Sequence, residues 1–206
     1  MKATTVPDDS RVRGGRRQGL LRALLAAWGV AVVGTTTAVW CYKSTPGPAG
    51  HAPDHWPAES RIARSTTRNS LLVFLHPKCP CSSATLDEVR RVAGAAEAPA
   101  TTVVFVIPEG VDETWCDGAL FGCAIGIPGV GVFEDRGGRE AALFGARTSG
   151  HAVAYAPGGS LLFCGGLTTA RGHVGASAAA LGAILRDGEG ARPIVAPVFG
   201  CSLEDR

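Results

Sequence analysis

Between Arg22 and Lys43 the chain runs for 20 residues, Ala23 to Tyr42, without a charged side chain. Wound as a helix at about 1.5 Å per residue, that stretch is about 30 Å long, the thickness of a bilayer hydrocarbon core. A helix satisfies its own backbone groups in such a medium, so the stretch is expected to be a transmembrane helix over residues 23–43. Gly29, Gly34 and Thr35 to Thr37 dilute its second half, while Trp28, Trp40 and Tyr42 add aromatic character, the last two near the expected outer interface. Arg11, Arg13, Arg16, Arg17 and Arg22 precede it and only Lys43 follows closely. The positive-inside bias therefore puts residues 1–22 in the cytoplasm and everything after Lys43 outside it, on the periplasmic or extracytoplasmic side of the cell (plasma) membrane. No small-x-small cleavage site follows the run, and Trp40 before Cys41 is too large for a lipoprotein-type site, so an uncleaved single-pass anchor is expected.

The net charge of +2 comes from that flank: up to Arg22 there are 6 basic and 2 acidic residues, against totals of 20 and 18. The remainder is near neutral and has no basic patch interleaved with aromatics, which argues against a nucleic-acid partner. Seven cysteines outside the cytoplasm should mostly be paired, buried or chemically used, and an odd count leaves at least one over. Cys41, at the end of the anchor, reads as a bystander or a palmitoylation candidate.

Residues 44–69 are Pro, Gly, Ala, Ser and charge without a sustained period, which reads as a flexible linker, with His51 and His55 solvated. A domain over 70–190 is expected next, then a tail over 191–206. Its first element is the apolar block Ser70 to Leu75, closed by His76-Pro77 and suited to a buried central strand. From Ser82, apolar Leu86, Val89, Ala93 and Ala96 recur at helical spacing, with Asp87, Glu88, Arg90 and Arg91 on the opposite face. Thr101 to Ile107 is a second buried strand, so Leu71 to Ile107 forms a βαβ unit with parallel strands. Trp115, Leu120, Phe121 and Ala124 mark a short helix before Pro128. Gly138 to Gly145 reads as a helix stopped by glycine, Ala152–Tyr155 and Leu161–Cys164 as a hairpin about Pro157-Gly158-Gly159, and Ala176 to Arg186 as a last helix. The order is β-α-β-(α)-β-α-β-β-α, without an internal repeat.

Cys79-Pro80-Cys81 falls where the first strand turns into its helix. A cysteine there meets unpaired N–H groups and the positive end of the helix dipole, which favour the thiolate and lower the pKa from about 8.5. Pro80 suits the first helical position, where its missing N–H costs nothing.

Strand, F-L-H-P-K-C-P-C-S, helix, strand, then helix, hairpin and helix resembles a thioredoxin-fold oxidoreductase. The resemblance implies a three-layer α/β/α domain with a mixed central sheet. It places Cys79 on the nucleophilic cysteine of the family's C-x-x-C and Ser82 on the second, with Cys81 one position earlier. Gly150, in Phe144 to His151, stands where the family usually has a cis-proline. More narrowly, His76 to Ser82, Phe144 to His151, Gly165 to Thr168, Arg171 to His173 and Val198 to Cys201 are similar to the membrane-anchored bacterial RedB proteins, a likeness covering roughly Leu71 to Cys201.

The expected reaction is attack of the Cys79 thiolate on a substrate disulfide and resolution of the mixed disulfide by Cys81 or by another protein thiol. His76 would stabilise the thiolate or shuttle its proton. Pro80, Ser82, Ser149, Gly150 and His151 are the expected substrate-contacting residues, protein thiols or disulfides outside the cytoplasm the partners, and no cofactor is needed. One alternative is a copper-binding chaperone using His76, Cys79 and Cys81 as soft ligands, the more so if His151 or His173 converges on Cys79. The other is a binding domain without catalysis. Cys116 and Cys123 lie about 10 Å apart if one helix carries both, too far to bridge, and read as core thiols. Cys164 reads as core, and Cys201 as core or as a bridge to an earlier cysteine.

Overall fold

The computed structural model describes residues 9–116, 118–175, 181–185 and 192–204. By its internal contacts the chain divides into two compact units, Met1–Tyr42 and Lys43–Arg206.

The first unit is built on a helix, α1 (Asp9–Ser44), of which Gln18–Ser44 is long and apolar enough to cross a membrane. Leu24, Leu25, Val33 and Trp40 stand exposed on it. Two of its threonines are satisfied within the helix: Thr35 Oγ1 donates to Ala31 O at 2.9 Å and Thr37 Oγ1 to Val33 O at 2.8 Å. Hydroxyls satisfied by the helix's own carbonyls present mainly their methyl groups outward.

The second unit is a mixed α/β domain. Its elements are β1 (Ser70–Leu75), α2 (Ser82–Ala93), β2 (Ala100–Ile107), α3 (Ala119–Ile125), β3 (Val130–Arg136), α4 (Arg139–Leu143), β4 (His151–Tyr155), β5 (Leu161–Gly166) and β6 (Ile194–Val195). The six strands lie in the order β3-β2-β1-β4-β5-β6. β1, β2 and β3 are parallel, β4 runs antiparallel to β1 and to β5, and β6 is parallel to β5. β1 is buried at every position, which is why its sequence is one apolar run and not an alternation.

Successive side chains of the central strands point to opposite faces and build two cores. Leu71, Val73 and Leu75 of β1 pack with Leu86, Val89 and Val92 of α2, and with Leu181 and Leu185. Leu72 and Phe74 pack on the other face with Ala141 and Phe144, beside Val153 and Tyr155. Of the last expected helix, residues 181–185 are helical and the rest lie outside the described residues.

Three features differ from the sequence reading. Residues 44–69 are laid along the second core instead of hanging free. Trp56 packs edge-on against Phe144 and Tyr155 at 5.0 and 5.3 Å, its backbone N–H bonds Gly159 O, and Ile62 is buried. Buried Glu140 receives Ser60 Oγ at 2.7 Å and the Arg61 side chain at 3.1 Å. Pro and Gly give such a segment no period to read, yet every few residues it delivers one side chain that the sheet face needs. Second, Glu88 is buried and not on the solvent face of α2: its Oε1 accepts the Gly175 N–H at 2.7 Å, tying α2 to the loop after β5. Third, Cys116 ends a short 3-10 turn (Glu113–Cys116) and is buried, whereas Cys123 is exposed on α3, so no single helix carries both and only Cys116 is core.

Candidate functional site

The peptide chain leaves β1 through a tight turn: the Cys79 N–H bonds His76 O at 3.1 Å and the Ser82 N–H bonds Cys79 O at 3.1 Å. α2 begins at Ser82, with Cys81 as its N-cap residue in right-handed backbone conformation. Pro80 thus sits in the turn before the helix and not at its first position; it is exposed. Cys79 is placed at the carboxyl end of a central strand and just before the amino end of a helix, with the N–H of the N-cap residue Cys81 directed at its sulfur.

A third cysteine joins Cys79 and Cys81. Cys201 brings its Sγ to 2.9 Å from Cys79 Sγ. Only 4% of Cys79 is exposed, and burial by itself raises a thiol pKa. That penalty is outweighed by donors converging on the sulfur: the Cys201 thiol and N–H, the Ser82 hydroxyl and the Cys81 N–H hold the Cys79 pKa below the ordinary thiol range. Its neighbours move the other way. Burial and the Cys79 charge raise Cys81, and burial with donation to Cys79 pushes Cys201 up to about 12, both against the opposing Arg171 charge. Within the cluster the surroundings favour the thiolate at Cys79 and disfavour it at Cys81 and Cys201.

Ser149 supports this arrangement from behind. Its Oγ accepts the His76 N–H at 2.9 Å and shares a 2.8 Å hydrogen bond with Ser82 Oγ. The Ser149 N–H donates to Cys201 O at 2.8 Å, so one buried serine links β1, α2 and the carboxyl-terminal segment. Gly150, also buried, donates its N–H to Phe74 O at 2.8 Å with φ +93. Ser82, Ser149 and Gly150 are therefore internal supports of Cys79 and not a surface for substrate.

His151 is fully buried and on the other face of the sheet: it pairs with Phe74 across the β1–β4 ladder, and its Nε2 lies 3.5 Å from Cys164 Sγ. The period of a strand forces this, since the residue after Gly150 points away from the face that α2 covers. Burial lowers its pKa to about 4. His76 is buried, and its Nδ1 accepts the Lys78 N–H at 3.2 Å, which closes the turn. His173 sits in the loop after β5, in an isolated bridge with Ala170. Among the described residues no group of three or more His, Cys, Asp or Glu side chains is disposed to hold a metal ion.

Cys79 is reached through a cleft of about 390 Å³ between α2 and α3, walled by Pro77, Lys78, Pro80, Leu86, Leu120 and Cys123. The Lys78 ammonium rests on the Trp115 ring, 3.2 Å from its centroid, at the cleft's edge. A larger hollow of about 880 Å³, lined by Arg68, Arg91 and Pro99 among others, contains none of the cysteines. The sequence left Cys201 as core or as a bridge to an unspecified earlier cysteine and gave Arg171 no role; the structure brings both to the site. The available signal was the excess of cysteines in a compartment where thiols are seldom idle.

No protein-family model matches the chain, and no curated protein does. Among solved structures it is similar to a hypothetical protein from Sinorhizobium meliloti, with 16% identity and a TM-score of 0.52 over 79% of this chain and 97% of that one. It is also similar to an uncharacterized conserved protein from Geobacillus kaustophilus, with 15% identity and a TM-score of 0.56 over 80% of this chain and 92% of that one. At such identities the likeness concerns the fold alone.

Proposed function

We propose that this protein is a membrane-tethered thiol–disulfide oxidoreductase of thioredoxin-like fold, with Cys79 as its nucleophile and its working domain on the extracytoplasmic side. The observation that carries the reading is the Cys79 sulfur itself: buried, yet ringed by four hydrogen-bond donors at a strand-to-helix turn, with a second sulfur 2.9 Å away. Environments of this kind make reactive cysteines, whereas buried cysteines without such donors are inert. The fold assignment is supported by the strand order β2-β1-β4-β5, its first pair parallel and its last an antiparallel hairpin, with α2 following β1 directly. Segments far apart in sequence converge on the turn that carries Cys79: Ser149 bonds the His76 N–H and the Ser82 hydroxyl, Cys201 approaches the Cys79 sulfur, and Arg171 holds the Gly200 carbonyl. Anchoring rests on α1, and the arginines before it favour a cytoplasmic amino terminus.

The substrate class is a protein disulfide or dithiol presented at the α2–α3 cleft. The test is a redox titration of the full chain in detergent against glutathione buffers. A two-electron midpoint that disappears in Cys79→Ser is the expected result. An unchanged thiol count across the whole buffer range would contradict the reading, and stoichiometric Cu(I) uptake in its place would favour a chaperone.

A further inference from the structure

We infer that Cys201, carried by the carboxyl-terminal segment, is the thiol that resolves the mixed disulfide on Cys79, so that the protein's internal disulfide joins Cys79 to Cys201 and not Cys79 to Cys81. The inference rests on the thiol–disulfide reading and names the second half of that site.

The segment carrying Cys201 is strapped down on both sides of it. Upstream, β6 pairs with β5, and the Ala196 N–H bonds Cys164 O at 3.0 Å. The strand then crosses Gly165 and Gly166, where a Cβ would meet Ala196 O at 2.5 Å and Pro197 O at 2.7 Å; no other residue leaves room for that crossing. Gly200 lies directly on the Ser149 carbonyl, again with no space for a Cβ, and its own carbonyl takes a hydrogen bond from Arg171 Nη1. Downstream, Ser202 pairs with Thr148 and the Leu203 N–H bonds Arg147 O at 3.0 Å. Three glycines, an arginine and a short ladder thus hold one thiol over Cys79.

Distance favours this partner, and direction permits it. The two sulfurs are 2.9 Å apart, against about 2.05 Å in a disulfide. Cys81, the N-cap residue of α2, also reaches the Cys79 sulfur with its thiol, but with one residue between them the two would close a small, constrained ring, whereas Cys201 comes from a separate segment. Displacement at sulfur also needs the entering and leaving sulfurs on opposite sides. Neither Cys201 nor Cys81 lines the α2–α3 cleft, so a substrate arriving there leaves the Cys201 side of Cys79 open, and the 2.9 Å approach is what singles out Cys201.

Cys79 thiolate attacks one sulfur of R–S–S–R′, forming Cys79–S–R and releasing R′S⁻. Cys201 then attacks Cys79 Sγ and gives up its proton to the departing sulfur, which leaves as R–SH while the Cys79–Cys201 bond forms. The substrate gains two electrons, the cysteine pair loses two, and an external dithiol returns the pair to its reduced form. Run backwards, the same steps oxidise a dithiol substrate. A held thiol acts at high effective concentration, which makes the second step fast relative to escape of the mixed disulfide.

The experiment oxidises the full chain in detergent with oxidised glutathione, blocks free thiols, digests with trypsin and maps disulfides by mass spectrometry. Cleavage after Lys78 and Arg90 places Cys79 and Cys81 on one peptide and Cys201 on another. The expected result is a cross-link between those peptides that survives Cys81→Ser and vanishes in Cys79→Ser, and glutathione retained on Cys79 in Cys201→Ser. A link confined to the Cys79–Cys81 peptide, or a cross-link lost in Cys81→Ser, overturns the inference and leaves the oxidoreductase reading intact. Failure of glutathione to modify Cys79 in every form, wild type included, overturns both. The wild-type and Cys81→Ser maps decide the matter even if Cys201→Ser does not fold.

Discussion

Cys79 and Cys164 are each 4% exposed, yet their thiols are pushed in opposite directions, Cys79 down and Cys164 up. Both pay the same kind of desolvation, so burial does not separate them. The difference lies in what faces the sulfur. Around Cys79 the turn into α2 and the carboxyl-terminal segment aim N–H, O–H and S–H groups at it. Cys164, inside β5 on the opposite face, has the Ala52 N–H and a neutral His151 ring beside it, too little to offset its burial. A cysteine at the end of a strand can collect donors from a turn. One within a strand cannot, because the ladder has already used the neighbouring N–H groups.

The largest contrast should appear in alkylation. With iodoacetamide at neutral pH, Cys79 reacts through the α2–α3 cleft, whereas Cys164 reacts roughly a thousandfold more slowly, the factor set by an opening free energy of about 4 kcal/mol. Comparable rates followed by peptide mapping would erase the distinction between the two sites.

Next in size is the acid response of the Cys164 side. His151 has a folded pKa of about 4 against an ordinary 6.5. Above pH 6.5 both states are neutral. As pH falls from 6.5 to 4 the unfolded chain takes up the proton and the folded one does not, so stability drops by about 3 kcal/mol. Denaturant titrations across that window should show the slope in the wild type and its loss in His151→Leu.

Trp56→Ala probes the segment covering the same face. Loss of its packing on Phe144 and Tyr155 should cost about 2 kcal/mol, less than a fully buried tryptophan because Trp56 is half-buried. No change in melting would mean that residues 44–69 hang free after all. The smallest effect is expected from Ser82→Ala, which removes one donor from Cys79. It should cost about 1 kcal/mol of stability and raise the Cys79 pKa, read by thiolate absorbance, while Cys164 is unmoved.

How far the sequence foretold this depends on the range of the interaction. The unbroken apolar runs of β1 and β2 and the helical spacing of Leu86 and Val89 announced a βαβ unit, and Pro157 to Gly159 marked the hairpin, because each signal lies within one element. Cys79 at the turn was readable for the same reason. His151 was misplaced because its role depends on strand parity counted from Gly150, and Ser149 because a serine that bonds three separate segments looks like any loop serine. Cys201 is 122 positions from its partner, and only the path over Gly165, Gly166 and Gly200 brings it home. Glycines that exist to be crossed are indistinguishable, in one sequence, from glycines that make turns.

Ionisation of Cys79 is what the proposed chemistry requires. Its direct test is the rate of alkylation at that residue in the full chain as a function of pH, followed by peptide mapping. A midpoint below about 8.5, the free cysteine value, is predicted. A midpoint at or above that value would show that burial prevails over the surrounding donors, and the proposed nucleophile would not exist.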